Sequence, residues 1–331
     1  MAPSAPEPVH GHGMFQESWW LDAVAPGGWS EVAVQRNGQT VARLPFVVRG
    51  PRRMRVLTQP PLTPFLGPWT ARRPGAKPIG ALGNEMELLA ELEAGLPAAG
   101  AFRQSFAPNV LGVLPFIWAG YRAEVRYTYR LEDLTSEQAL WDGLGANIRG
   151  HVRKARKSGV TVRSDLGLDL FHHVLSGTFE RQGIRPPDRA LLGRIEAVCA
   201  PRGARSILFA CDASERVHAV AYVVWDRSSA YYLLSGADPA LRASGAQSLL
   251  LWEAILRSRE VTSTFDFEGS MLVPVERFFR DFGGRQTPYL HVSRARRSAK
   301  AALALRAGYG RLVNTVKRTI NAKNTIYGSC E

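Results

Sequence analysis

The chain has 331 residues, 42 Lys and Arg against 29 Asp and Glu, a formal charge of +13, and 45% hydrophobic residues. That length suits one large domain or two ordinary ones, and the apolar content excludes bulk disorder. No apolar run approaches the ~20 residues of a membrane span. The three scattered cysteines, Cys199, Cys211 and Cys330, exclude a disulfide framework or a zinc site and fit reduced thiols in the cytoplasm.

Residues 1–13, MAPSAPEPVHGHG, lack a charged n-region and an apolar h-region, so they read as a flexible lead-in and not as a secretion signal. FQESWWLDAV then suggests a short amphipathic helix. WSEVAVQRNGQTVARLPFVVRG is a hairpin turning at Asn37-Gly38, the strongest short turn signal. MRVLTQPPLTPFLGPW is a strand entering a loop stiffened by four prolines. A loop so apolar is either a packed lid or the lining of a pocket, with Gln59, Thr63, Phe65 and Trp69 as candidate pocket residues, those of the acceptor if the family likeness described below holds. NEMELLAELEAGLP is a helix, and SFAPNVLGVLPFIWAGYRAEVRYTYRLE alternates into a strand.

From residue 134 the logic repeats. SEQALWDGLGANIRGHVRKARKSG is helical, capped by Thr135 or Ser136 and stopped at Gly159. A strand (VTVRSD), two helices and a three-strand meander (ARSILFACD, RVHAVAYVVWD, SAYYLLSGAD) follow. A strongly apolar helix (LRASGAQSLLLWEAILRSR) leads to FDFEGSMLVPVERFFRDFGG and a last strand, PYLHVSRA. His172-His173, His218 and His291 suggest packing more than ligation, and no metal spacing stands out.

Two basic clusters account for much of the charge. NIRGHVRKARKSG carries Arg149, Arg153, Lys154, Arg156 and Lys157 without an acid. Beyond Leu290 nine bases, among them Arg294, Arg296, Arg297, Lys300, Lys317 and Arg318, face a single acid, Glu331. Such clusters are either solvated helix faces or the footprint of a polyanion such as a nucleic acid.

The segments NIRGHVRKARKSGVTV, TFERQG, YYLLSGADPALRASGAQSLLLWEAI and FDFEGSM...ERFFRDFGG, in this order, together with QPPLTPFLGPW in the first half, resemble the GNAT N-acyltransferases, and within them the Fem-type branch with two GNAT-like halves in tandem. The resemblance implies an α/β fold of two tandem GNAT-like domains, each a mixed, mostly antiparallel sheet flanked by helices. They would span residues 14–133 on the acceptor side and 134–293 on the donor side, with a basic helical tail over 294–331. The helical arm of some cell-wall members has no counterpart. The resemblance also implies an amine acceptor in the cleft between the halves. The donor would be either aminoacyl-tRNA as co-substrate or acyl-CoA, with no other cofactor and no metal.

Site residues follow from the same likeness. Arg242, Ser244 and Gly245 sit where coenzyme A-dependent members hold a pyrophosphate on a helix N-terminus, but Gln247 replaces a small residue there; the bland alternative is a helix capped by Ser244. Asp266 and Glu268 share one face of a strand that would border the cleft, as bases for the attacking amine or as partners of Arg277 or Arg280. Fem-type members carry Phe-Lys in the next short helix. Here Phe278 and Phe279 match, the Lys is missing, and Arg280 is the nearest cation for an oxyanion. Of Tyr231 and Tyr232 one faces the core and one the cleft, with Tyr232 the candidate acid. The expected protein is a cytoplasmic monomer joining an aminoacyl group to a natural-product or peptidoglycan-precursor amine, with a non-catalytic RNA- or membrane-binding relative as the third reading.

Overall fold

A computed structural model describes residues 13–51, 54–71, 75, 77–110, 112–269, 271 and 273–296. The hairpin forms as its turn residues require: Asn37 and Gly38 have φ of 52° and 76° between β1 (Trp29–Arg36) and β2 (Gln39–Arg49), the double left-handed pair that matches strand twist. β3 (Val56–Thr58), β4 (Trp69–Thr70), α2 (Pro78–Ala94), β5 (Ala101–Ser105), α3 (Leu114–Trp118) and β6 (Arg122–Leu131) follow, after α1 (Ser18–Val24) at the start. The stretch from Ser105 expected to alternate into a strand does so in β6, after the short helix α3. Pro115 in the first turn of LPFIW fixes φ for a helix start and supplies no unwanted donor.

The second half runs α4 (Glu137–Gly143), α5 (Ala146–Lys157), β7 (Thr161–Arg163), α6 (Leu168–Arg181), α7 (Arg189–Cys199), β8 (Arg205–Cys211), β9 (Val217–Trp225), β10 (Ala230–Ala237), α8 (Ala246–Ser258), β11 (Phe265–Asp266), α9 (Val273–Arg280) and β12 (Arg285–Ala295). Ser136 caps α4 by accepting from the Ala139 amide. The single helix expected here breaks into α4 and α5 at Leu144-Gly145, where the Gly145 amide donates to the Asp281 carbonyl at 2.7 Å.

Both halves share one mixed sheet of twelve strands, ordered β1-β2-β3-β5-β12-β6-β11-β10-β9-β8-β7 with β4 on β2. Among the named strands of the described residues β3/β5 and β10/β11 are the parallel pairs, and an isolated parallel bridge joins Leu66 to Phe106. β12, last in the chain, lies between β5 and β6. Alternation along the strands sorts the cores. Tyr222, Tyr231 and Leu233 pack with α1, α6 and α7 on one face. Ala221, Val223 and Tyr232 pack with α4, α5, α8 and α9 on the other, which α2 and α3 cover further along. These are called the α6 face and the α8 face.

Candidate functional site

β10 and β11 pair only at Ala230/Phe265 and Tyr231/Asp266. Beyond that point β10 continues along β9 through an irregularity between Tyr231 and Leu234. β11 stays with β6, the Phe267 amide donating to the Tyr129 carbonyl. The two strands splay, and the residues at the parting carry the chemistry.

Asp266 closes β11 fully buried. Its Oδ1 accepts from Thr128 Oγ1 (2.6 Å) and from the Glu268 amide (2.8 Å), and Oδ2 lies 3.4 Å from Arg130 Nε. Burial pushes its pKa up to about 6 against the lowering pull of Thr128, the Glu268 amide and Arg130. This partner set makes Asp266 the post on which the next turn hangs.

Glu268 and Gly269 are both left-handed, with φ of 60° and 61°. For a non-glycine residue this region costs roughly 1 kcal/mol or more. Gly269 has no alternative: a Cβ there would lie 2.2 Å from the Tyr127 carbonyl oxygen and 2.6 Å from Thr128 Cα. The turn therefore presses on β6 and swings Glu268 off the strand. Its Oε1 is buried and has no hydrogen-bond partner among the described residues. Burial first, and the neighbouring Asp266 second, raise its pKa well above the ordinary carboxylate range. A strained backbone holding a carboxyl of raised pKa, one oxygen of it buried and without a partner among the described residues, at a strand parting is what a general acid–base position looks like.

The α6 face continues the polar row across β6 and β12. Thr287 pairs with Thr128, Tyr289 with Arg126, and His291 with Glu124. Burial raises the Tyr289 hydroxyl, Arg126 opposes, and Asp266 and Glu268 add to the rise. Burial lowers His291, whose Nδ1 is 3.3 Å from Ser105 Oγ. The proline-rich loop walls this row. Gln59 accepts from the Ser105 amide (2.6 Å) and donates to the Thr63 carbonyl (2.7 Å), Trp20 Nε1 donates to Thr63 Oγ1, and Phe65 meets Tyr289 edge-on at 5.0 Å. Gln59 and Thr63 thus build the wall and Phe65 touches the row, whereas Trp69 sits in β4 against Arg43 of β2.

The remaining catalytic candidates lie on the other face. Thr128 and Tyr129 are consecutive in β6 and point oppositely. Tyr129 donates to Glu276 of α9 at 2.6 Å, and Arg280, largely exposed, pairs with the same Glu276 at 3.6 Å. The expected Glu268–Arg280 pair across one cleft is therefore not formed, because strand alternation puts Arg280 on the α8 face and Asp266 on the α6 face. Tyr232 shares Arg280's face, packed edge-on against Phe279 at 6.1 Å; burial raises its hydroxyl to about 12. Phe279 and Phe278 join the Phe267–Phe282 aromatic cluster, Phe279 buried and Phe278 partly so.

At the start of α8, Gly245 has φ 77°, and a Cβ there would meet the His151 carbonyl oxygen of α5 at 2.4 Å. The glycine serves the close contact of α5 with α8. Ser244 Oγ accepts from the Ala246 amide and donates to the Leu241 carbonyl, and lies 2.9 Å from Nδ1 of His218, whose Nε2 is 3.1 Å from Asp212. Arg242 is exposed. The basic face of α5 is partly committed. Arg149 donates to the Leu144 carbonyl, Arg153 stacks on Trp141 at 5.5 Å, and Arg156 pairs with Glu253, while Lys154 and Lys157 are exposed. The tail boundary at 294 shifts, since Arg294 is a β12 residue that pairs with Glu93 and stacks on Tyr121 at 4.1 Å. Arg296 is exposed; Arg297, Lys300, Lys317 and Arg318 lie outside the described residues.

Sequence reasoning missed Thr128, Arg130, Tyr289 and the Asp212–His218–Ser244 chain. Strand alternation in RYTYRL puts Thr128 and Arg130 on one face, but only the pairing register brings that face to Asp266.

Residues 145–280, from the start of α5 to the end of α9, match the family described as acetyltransferase (GNAT) domain. The second half carries a GNAT domain. The sequence matches none of the curated proteins. Among solved structures, a crystal structure of FemX is similar over 85% of this chain and 93% of its own, at 14% identity and a TM-score of 0.63. The C-terminal domain of a putative lysylphosphatidylglycerol synthetase from Agrobacterium fabrum is similar over 88% and 92%, at 14% identity and 0.52. Around that domain the fold is similar to that of FemX, with the strands and helices of the first half joined to the same sheet.

Proposed function

We propose that the protein is an acyltransferase that moves an aminoacyl group from aminoacyl-tRNA to an amine, forming an amide, with Glu268 as general base. The amine nitrogen attacks the ester carbonyl, its surplus proton passes to the carboxylate form of Glu268, and Glu268 returns that proton to the tRNA ribose oxygen as the C–O bond breaks, leaving the ribose hydroxyl. The acceptor is a natural-product amine or a cell-wall precursor, held against the row from Thr128 to His291 under the proline-rich loop. The protein works as a cytoplasmic monomer.

The observation that carries this reading is the buried Oε1 of Glu268, without a hydrogen-bond partner among the described residues, at the splay of β10 and β11. A base poised by burial is the arrangement that proton removal from an amine needs. Aminoacyl-tRNA is favoured over acyl-CoA by the acid-free basic face of α5 beside α8, and by Gly245 being spent on the His151 contact. The acyl-CoA reading rests on exposed Arg242 beside the α8 N-terminus.

The test is to incubate the purified protein with charged tRNA pools and candidate amines and to follow amine-dependent deacylation. Saturable acetyl-CoA binding and turnover without any tRNA dependence would refute the donor assignment.

A further inference from the structure

The row beside Glu268 rests on three strands whose registers fix its neighbours. Tyr289 of β12 faces Arg126 of β6, His291 faces Glu124 and Ser105, and Ser293 lies between Arg122 and Arg103 of β5. Paired residues share a face of the sheet, so these side chains form one patch, continuous with Thr128 and its partner Asp266. α2 and α3 pack on the opposite face, where Val292 is buried, and Tyr289, His291 and Ser293 stay partly open. β5, β6, β12 and the proline-rich loop together carry six arginines and a single acid, Glu124. Three of the six are committed elsewhere: Arg130 to Asp266, Arg285 to Glu132, and Arg294 to Glu93 across the sheet. That leaves Arg103, Arg122 and Arg126 on the patch against Glu124.

Arg126 is the least exposed of the three. Its Nε donates to Glu124 at 3.2 Å, but that acid is 64% exposed, so the pair is weak and open to competition. The Tyr289 hydroxyl interacts with Arg126 on one side and lies in the field of Asp266 and Glu268 on the other. His291 is lowered by burial first, then by the charges of Arg126 and Arg103, with Glu124 opposing. The two guanidiniums therefore converge near His291. A guanidinium fork beside a phenol hydroxyl matches a carboxylate. Arg126 lies four residues along β6 from Arg130, the partner of Asp266, which is about 13 Å at ~3.4 Å per residue. Side chains leaning in from both ends leave roughly 7–9 Å between the Glu268 carboxyl and an anion on Arg126, the length of about five methylenes. We infer that Arg126 and Tyr289, with Arg103 behind them, bind a carboxylate carried by the acceptor. Resting on the acyltransferase reading for the place of the amine, the acceptor is then an ω-amino carboxylate whose amine reaches Glu268.

Calorimetry of the full-length protein with 6-aminohexanoate, hexylamine and glycine needs no tRNA and reads the anion site directly. 6-Aminohexanoate should bind about 10–100-fold more tightly than hexylamine, which lacks the carboxylate, and than glycine, which is too short to span the row. Arg126→Gln should remove that preference, and Arg126→Lys should restore part of it. Glu124→Gln, which frees the guanidinium, should tighten 6-aminohexanoate, a gain that a merely structural Arg126 would not give. Thermal melts verify that each variant is folded. Equal binding of hexylamine and 6-aminohexanoate by the wild type overturns the inference. So does binding of none of the three, or an undiminished preference in folded Arg126→Gln. A preference for 6-aminohexanoate without any transfer from charged tRNA would refute the donor assignment and leave the carboxylate site standing. Transfer from charged tRNA to hexylamine and 6-aminohexanoate with equal kcat/KM would do the reverse.

Discussion

Glu268→Gln keeps the size of the side chain and removes its proton chemistry, so its two consequences can be read separately. Loss of a general base costs about 10²–10⁴ in turnover, with donor and acceptor binding nearly unchanged. Stability moves the other way. The folded carboxyl holds its proton well above the unfolded value of 4.5, so the folded chain binds more protons than the unfolded chain in that window. Stability therefore falls as pH rises from about 4.5 toward the folded pKa, by up to about 1.4 kcal/mol per pH unit, and the penalty is absent below 4.5. Asp266, raised to about 6, adds a second contribution only in the lower part of the window. Above that the slope belongs to Glu268, and Glu268→Gln should flatten it and leave the variant more stable than wild type near pH 7–8. Urea unfolding at half-unit pH steps, alongside single-turnover rates, measures both. A stable variant with near-normal turnover would refute the base assignment, the proton then going to the substrate or the tRNA ribose. An unchanged stability slope would refute the buried, proton-holding state itself.

Gly269→Ala forces a Cβ to within 2.2 Å of the Tyr127 carbonyl oxygen at a φ of 61°. It should cost several kcal/mol, of which about 1–2 come from the left-handed backbone alone, and urea midpoints measure it. Thr128→Val strips Asp266 of its hydroxyl donor and should destabilise by about 1–3 kcal/mol at neutral pH. The cost should shrink as acid protonates Asp266, a trend that thermal melts across pH 4–8 follow. Arg280→Ala breaks only an exposed pair with Glu276 on the α8 face. It should cost about 0.3–0.5 kcal/mol and leave turnover within a few-fold; a loss of 10²–10³ in a stable protein would restore the oxyanion role to Arg280.

Local grammar was legible in the sequence where residues nearby decide the outcome. Asn37-Gly38 demanded a hairpin turn and Ser136 a cap, and both formed. The meander β8–β10 was readable because its alternation feeds two buried faces. What failed depended on distant pairing. Asp266 and Glu268 read as one face of a strand, but β11 ends at Asp266, and Gly269 bends the chain so that Glu268 stands apart. Arg280 read as the nearest cation along the chain, yet the register of β6 sets it across the sheet. Gly245 carried a signal the sequence could not show, the close approach of α5 that leaves no room for a Cβ. α2 was expected from Asn84 but starts at Pro78, because two glycines in its first turns obscured a helix that Pro78 nevertheless opens.

The insertion of β12 between β5 and β6 also constrains how the chain acquires its structure. His291 pairs with both Glu124 and Ser105, so the sheet of the first half stays interrupted until residues near the end of the described chain exist. At ribosomal speeds that wait is on the order of ten seconds after β6 emerges. Until then β5 and β6 present unpaired edges, the kind of surface that recruits foreign strands. Arg103, Arg122, Glu124 and Arg126 on those two strands keep such edges charged in the meantime. The late strand closes the gap through pairings of very large sequence separation, which belong to the slow end of folding.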